Sequence, residues 1–240
     1  MLEKIEKFQV LTVGVIASLA LVLCAKVVSN SLSHNVISVT GSAYEIVKSD
    51  SGSLNFTIEI KRPTKNDAYN QAKIQIKTVT EYLTSKGIKD YELKASNGYY
   101  SYKRNPVNGY TTDVIDNYNL SQPVSIKSEN VELIKDIAVD IQSLISKGID
   151  ISVSQPSYDY SKLGELKVSL LEKASQDAKN RASSMLKATH NSVGKIQSVR
   201  MGVYQITPVD SNDISDYGIN DSTTIDKKVT AVANISFKIK

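Results

Sequence analysis

Between Val229 and Ile239 the chain alternates: Val229, Ala231, Ala233, Ile235, Phe237 and Ile239 fall on one side of an extended backbone, with mostly polar residues between them. Side chains point to opposite faces along a strand, so eleven residues of this pattern demand a sheet with one covered face. The same alternation runs through Leu54, Phe56, Ile58 and Ile60, separated by Asn55, Thr57 and Glu59. Sheets with one wet face are mostly antiparallel. Weaker strand signals run from Val36 to Gly41, Tyr91 to Tyr102, about Asn117 to Lys127, Ile149 to Tyr160 and Lys195 to Ile206. Pro123 and Pro156 mark edges or bulges within them.

Helical spacing takes over between the strands. Thr64 is placed to cap a helix whose inward residues are Ala68, Ala72, Ile76, Val79 and Leu83, ending at Gly87. Ser128 is placed to cap a second, with Val131, Ile134, Ala138, Ile141 and Ile145 inward, ending at Gly148. The third spans about Leu163 to His190. Its inward face, Leu166, Leu170, Ala174, Ala178 and Ala182, repeats every four residues, and the alanines allow a close neighbour. The first two helices end alike, in Ser85-Lys86-Gly87-Ile88 and Ser146-Lys147-Gly148-Ile149. Two origins give that pattern. One is duplication of a strand–helix–strand unit; the other is an ordinary helix exit, with a basic last turn, glycine at C′ and an apolar residue opening the next strand. The element order β-β-α-β-β-α-β-α-β-β predicts an α+β domain of antiparallel sheet with three helices packed on it.

Ahead of this domain, Phe8 to Ala25 is a run of 18 residues without a charge. As a helix it would reach about 27 Å against a bilayer core of about 30 Å, and Val27 and Val28 extend it past a snorkelling Lys26. The reading is one N-terminal transmembrane helix: a short cytoplasmic segment over 1–7, an anchor over 8–28, a tether over 29–35 and an extracytoplasmic domain over 36–240. A cleaved signal segment is the alternative, with Ser29-Asn30-Ser31 as its small-x-small site. Lys4 and Lys7 favour an N-inside orientation, and Lys26 opposes it. Beyond residue 33 the chain holds 26 basic and 23 acidic residues, too even a balance for a nucleic-acid surface. Cys24 is the sole cysteine, so the outer domain is held by packing without disulfides.

Reactive constellations are scarce. His34 sits in the tether and His190 at a helix exit, where a contact with the helix dipole accounts for it; no G-x-S-x-G turn accompanies either. Gly194-Lys195 is not a phosphate loop, because position 189 is threonine and 196 isoleucine. No H-E-x-x-H or cysteine/histidine cluster supports zinc. From Met201 to Asp226 five aspartates (Asp210, Asp213, Asp216, Asp221 and Asp226) occur without a lysine or arginine. The 210–226 loop offers oxygens to calcium, although Ile214 and a missing glycine break the EF-hand pattern; the plainer reading is a solvated excursion between the last two strands. The other cluster is Asn97-Gly98-Tyr99-Tyr100-Ser101-Tyr102-Lys103, with Tyr110, Tyr118, Tyr158 and Tyr160. Tyrosines on both faces of a strand suit stacking and hydroxyl contacts with a glycan or protein partner; as ordinary strand residues they turn their hydroxyls to water. No residue is assigned as catalytic, cofactor-binding or metal-binding, and no cofactor is expected.

The opening Ile37-Ser38-Val39-Thr40-Gly41-Ser42-Ala43 resembles the I-x-V-x-G-x-A start of SIMPL domain proteins, a bacterial envelope family. Three further stretches match in order. They are Lys86-Gly87-Ile88 before the tyrosine cluster; Ala174-x-x-Asp177-Ala178-x-x-Arg181-Ala182 followed by Val193-Gly194-Lys195-Ile196; and a last strand introduced by Lys227-Lys228-Val229. The similarity runs over about residues 36 to 240 and departs at the first turn, where Asp50 is followed by Ser51-Gly52-Ser53 instead of an apolar residue. The resemblance implies a periplasmic or surface-facing domain, relatives that assemble into oligomers, and a link to envelope stress. It transfers no catalytic residues. The expected function is binding or self-assembly at the cell envelope by a membrane-anchored, non-enzymatic protein. Expected partners are the membrane, through the single N-terminal helix, further copies of the chain in a homo-oligomer, and an envelope protein or glycan, but no nucleic acid. An envelope hydrolase using carboxylates that the sequence does not single out is the alternative.

Overall fold

The computed structural model describes the backbone of residues 2–32 and 35–240 and the side chains of residues 12–27 and 35–240. These hold four α-helices and eleven strands in two sheets. They form two compact units, one with the chain up to Gly41, Ala174–Met201 and Ala233–Lys240, the other with Ser42–Lys173 and Gly202–Val232.

The first unit contains α1 (Leu2–Leu32), the start of β1 (Val36–Lys48), the end of α4 (Leu163–Lys187), β8 (Val193–Met201) and the end of β11 (Asp226–Ile239). Here β1 and β8 flank β11, with β8 antiparallel from Ala233↔Met201 to Ile239↔Val193. The alternation in β11 buries Ala233, Ile235 and Phe237, while Asn234 and Ser236 bond to Thr40 and Ser38 on the open face. Gly41 lies where α4 crosses β1: a Cβ there would overlap the Ala174 carbonyl and the backbone and side chain of Ala178.

In the second unit, β2 (Ser51–Arg62) pairs antiparallel with β5 (Thr111–Ser128). Helix α2 (Lys65–Ser85) follows β2, and α3 (Val131–Asp140) follows β5. The strands after α2, β3 (Tyr91–Leu93) and β4 (Asn97–Arg104), pair with β5; those after α3, β6 (Asp150–Val153) and β7 (Ser157–Asp159), pair with β2. Each strand–helix–strand half hands its returning strands to the central strand of the other. The resulting order β3-β5-β2-β6 is the βαββαβ arrangement of ferredoxin-like domains. The two halves occupy equivalent places, as duplicated units would. The inner face buries Leu54, Phe56, Ile58 and Ile60 against Val79 and Leu83 of α2 and Ile134 and Ile137 of α3, each worth about 1.5–3 kcal/mol when fully withdrawn from water. Also in this unit, β9 (Gln205–Pro208) pairs antiparallel with β11, and β10 (Ile219–Asn220) pairs with β9 in parallel.

Several expectations need correction. Among the described residues no helix is long and apolar enough to cross a membrane, which overturns the transmembrane helix over 8–28. The side chains of α1 are described from Thr12 to Val27. Phe8 to Leu11 lie outside them, as does His34, and the expected tether is helical as far as Leu32. Four helices replace three, and the β9–β10 pair makes the sheets not wholly antiparallel. Three expected strands each divide in two, at residues 94–96, 154–156 and 202–204. At the first break, Pro123 turns its carbonyl, and so the position of its missing N–H, away from β2 towards Lys94. The cap of α3 is Asn130, not Ser128, whose hydroxyl instead accepts from the Asn130 N–H. After Asp140 the chain tightens into a 3₁₀ segment over Ile141–Lys147, which brings Leu144 inward and leaves Ile145 exposed.

Candidate functional site

β2 ends at Arg62 opposite Tyr118, whereas β5 begins at Thr111. Among the described residues, 111–117 pair with β4 alone. The two strands project as a ribbon, closed by a tip in which the Asn105 N–H donates to the Tyr110 carbonyl and Gly109 takes φ 72°. A two-stranded ribbon has marginal stability in water by itself. Register shifts after Ser101 and Tyr102 insert extra residues on the β5 side, so β4 stays regular while its partner bulges.

The base of the ribbon is seated on Tyr118. That ring is buried, Tyr100 stands edge-on to it at 4.9 Å and 68°, and a Cβ at Gly98 would overlap its hydroxyl. Further out, no described residue covers the apolar side chains. Tyr99 is 62% exposed, Tyr102 46%, Tyr110 74% and Val107 92%, and Val114 and Ile115 are also exposed. Sequence reasoning missed Val107, Val114 and Ile115. The signal was present: adjacent Val114 and Ile115 put apolar groups on both faces of one strand, which a half-buried strand does not do.

The tyrosine cluster divides. Tyr99, Tyr100, Tyr102, Tyr110 and Tyr118 meet on the ribbon, but Tyr158 and Tyr160 lie at β7, on the opposite edge of the sheet. Tyr158 is buried beside Gly52 and Ile134, and burial, reinforced by the charge of Glu132, pushes its pKa up. It borders a groove of about 810 Å³ with Ile46, Glu132, Lys135, Asp210 and Asp226. Glu132 accepts from Lys48 at 3.0 Å and lies 3.8 Å from Lys135; the Lys48 contact holds it below the usual carboxylate range. At the departing first turn, both oxygens of Asp50 accept from Ser161, at 2.8 and 2.6 Å, which lowers its pKa.

The aspartate tract is not drawn into one site. Asp210 and Asp226 border the groove, Asp213 accepts from Ser211, and Asp216 is exposed. Asp221 turns inward: it accepts from Thr223 and Thr224 and lies 3.6 Å from the ammonium of buried Lys227, which donates to the Asp221 carbonyl at 2.7 Å. Burial opposes the Asp221 charge, but these hydrogen bonds and Lys227 hold its pKa down at about 2. Among the described residues no group of three or more His, Cys, Asp or Glu is arranged to hold a metal ion. His190 sits just past α4 with φ 58°. Gly194 lies in β8 against the Lys238 carbonyl.

Compared with known families, the chain matches the profile of the SIMPL family, described as a protein of unknown function (DUF541), over residues 37–237. The chain belongs to the SIMPL family. No curated protein is similar enough to count as a match. The structure gives physical reasons for the residues that carry the SIMPL resemblance. Gly41 and the small Ala174 and Ala178 meet at the crossing of β1 and α4, where side chains larger than these do not fit. Asp177 and Arg181 form an i,i+4 pair at 2.7 Å on the same helix. Lys227, at the head of the last strand, is the buried partner of Asp221. These SIMPL positions are packing and locking residues, whereas the ribbon carries apolar side chains that stay exposed.

Proposed function

We propose that this SIMPL domain works by binding and self-assembly at the cell envelope, outside the cytoplasm, and without catalysis. The observation that carries the reading is the β4–β5 ribbon, whose tyrosines, valines and isoleucine stay exposed although its base is firmly seated. Contiguous uncovered apolar surface of this kind marks interaction sites in soluble proteins. The shortage of reactive groups supports a non-catalytic role: the aspartates are dispersed, and His190 occupies a helix exit. The cysteine-free sequence after Cys24 suits an oxidising compartment, where no thiol is left to mispair.

Light scattering on the full chain, kept in mild detergent across a concentration series, tests assembly. The expected result is a particle of defined multiple that shrinks when Tyr100→Ser and Tyr102→Ser are combined. A monomer at every concentration overturns self-assembly. A C-terminal tag shielded from reagents in intact cells overturns the location, and turnover abolished by replacing a single carboxylate overturns the non-catalytic role.

A further inference from the structure

We propose that the ribbon's partner is the same ribbon of a second copy, with β4 joining β4 edge to edge about a two-fold axis at Ser101. This inference rests on the self-assembly reading and adds its partner and register.

The free edge of β4 follows from the hydrogen-bond parity of the sheet. The Pro123 carbonyl accepts from Lys94, so residues of its parity on β5 direct their backbone groups towards β3 and β4. Their partners on β4 are Asn97, Tyr99 and Ser101. Along a strand these directions alternate, which leaves the N–H and C=O groups of Gly98, Tyr100, Tyr102 and Arg104 pointing away from β5. No other strand pairs with β4 among the described residues. A regular, solvent-facing strand edge is a template for another strand.

The sequence of β4 fits itself. An antiparallel two-fold pair keeps each face of the sheet continuous, so a residue must meet one of the same parity. With Ser101 on the axis, Tyr100 meets Tyr102 of the second copy, Tyr99 meets Lys103, and Gly98 meets Arg104. Every outward N–H and C=O from Gly98 to Arg104 then finds a partner. No like charges oppose each other. Lys103 and Arg104, which guard the edge against indiscriminate pairing, come to rest against a ring and a glycine. The alternative axis on Tyr100 leaves Arg104 outside the matched set. The pairing also has apolar surface beside it: at about 200 Å² per aromatic side chain, the exposed parts of Tyr99, Tyr100, Tyr102 and Tyr110 come to roughly 450 Å².

Disulfide trapping reads the register directly. In full-length protein carrying Cys24→Ser, Ser101→Cys puts two thiols across a close non-hydrogen-bonded pair, within disulfide reach. The expected result is a covalent dimer on mild oxidation. Tyr99→Cys and Lys103→Cys should each stay uncrosslinked alone and crosslink when mixed. Ser101 is a small, half-buried side chain, so the variant is expected to fold, and circular dichroism with an unchanged unfolding midpoint checks this. No crosslink from a folded Ser101→Cys protein, or equal crosslinking of every single variant, overturns the inference. If such a protein is still larger than a monomer, assembly uses another surface and only the β4 pairing falls. If it is monomeric throughout, both fall.

Discussion

His190 shows how one backbone geometry accounts for three helix ends. After α2, the Gly87 N–H bonds to the Thr84 carbonyl and the Ile88 N–H to that of Leu83; Gly148 and Ile149 repeat this with Ile145 and Leu144. After α4, His190 and Asn191 do the same with Lys187 and Leu186. This is the Schellman motif, whose C′ residue takes a positive φ: 88° at Gly87, 77° at Gly148 and 58° at His190. The histidine bears a steric cost that glycine does not, so His190→Gly should stabilise the fold by about 1 kcal/mol, read as a raised thermal midpoint. A catalytic histidine would instead show loss of a function on that change. Gly41 has the opposite constraint. Gly41→Ala forces a methyl into the Ala174 carbonyl and should cost about 3 kcal/mol in urea unfolding, because backbone cannot yield as a flexible side chain does.

Elements are decided where packing overrules local pattern. In the helix after β5, a strict helical count favours Ile145 as an inward residue. The 3₁₀ segment advances the core face by one position, so Leu144 is fully buried while Ile145 is 54% exposed. Leu144→Ala should therefore cost about 3 kcal/mol and Ile145→Ala well under 1 kcal/mol in matched unfolding curves. The excursion between β9 and β11 is likewise more than a solvated loop, since Asp221 and Lys227 pair within it. The folded form holds the Asp221 proton less tightly than the unfolded chain does, with a pKa near 2 against an ordinary value near 4. Its contribution is thus complete above about pH 4 and is lost as pH falls towards 2. Asp221→Asn should flatten that part of the stability curve. At neutral pH it leaves Lys227 buried without its counter-charge, whose pKa burial already depresses, and should cost about 3–5 kcal/mol. Replacing Lys227 by methionine in the same protein should recover most of the loss.

At the scale of the whole molecule, the packed core and the exposed apolar ribbon lie in different parts. The inner face of the six-stranded sheet packs one unit and the crossing at Gly41 the other, while the ribbon adds exposed apolar area that no described residue covers. Serine at Tyr99, Tyr102 and Tyr110 should therefore change monomer stability by about 0.5 kcal/mol or less apiece in denaturant. The same changes should reduce particle size in light scattering. Loss of both together would mean that the ribbon is a core element and not a contact surface.

Much of this was legible along the chain. Thr64 accepts from the Asp67 N–H as a cap should, the four-residue stripe from Leu166 to Ala182 is buried throughout, and the alternation of β2 and β11 marks their inner faces. These depend on backbone periodicity and local hydrogen bonds, which neighbouring residues determine among themselves. The exchange of strands between the two halves, the burial of Lys227, the closeness of Gly41 to Ala174 and the overhang of β5 beyond β2 depend on residues far apart in sequence. Only tertiary packing could bring those groups into contact, or leave the ribbon uncovered, because whether a side chain is covered depends on which distant segment arrives beside it.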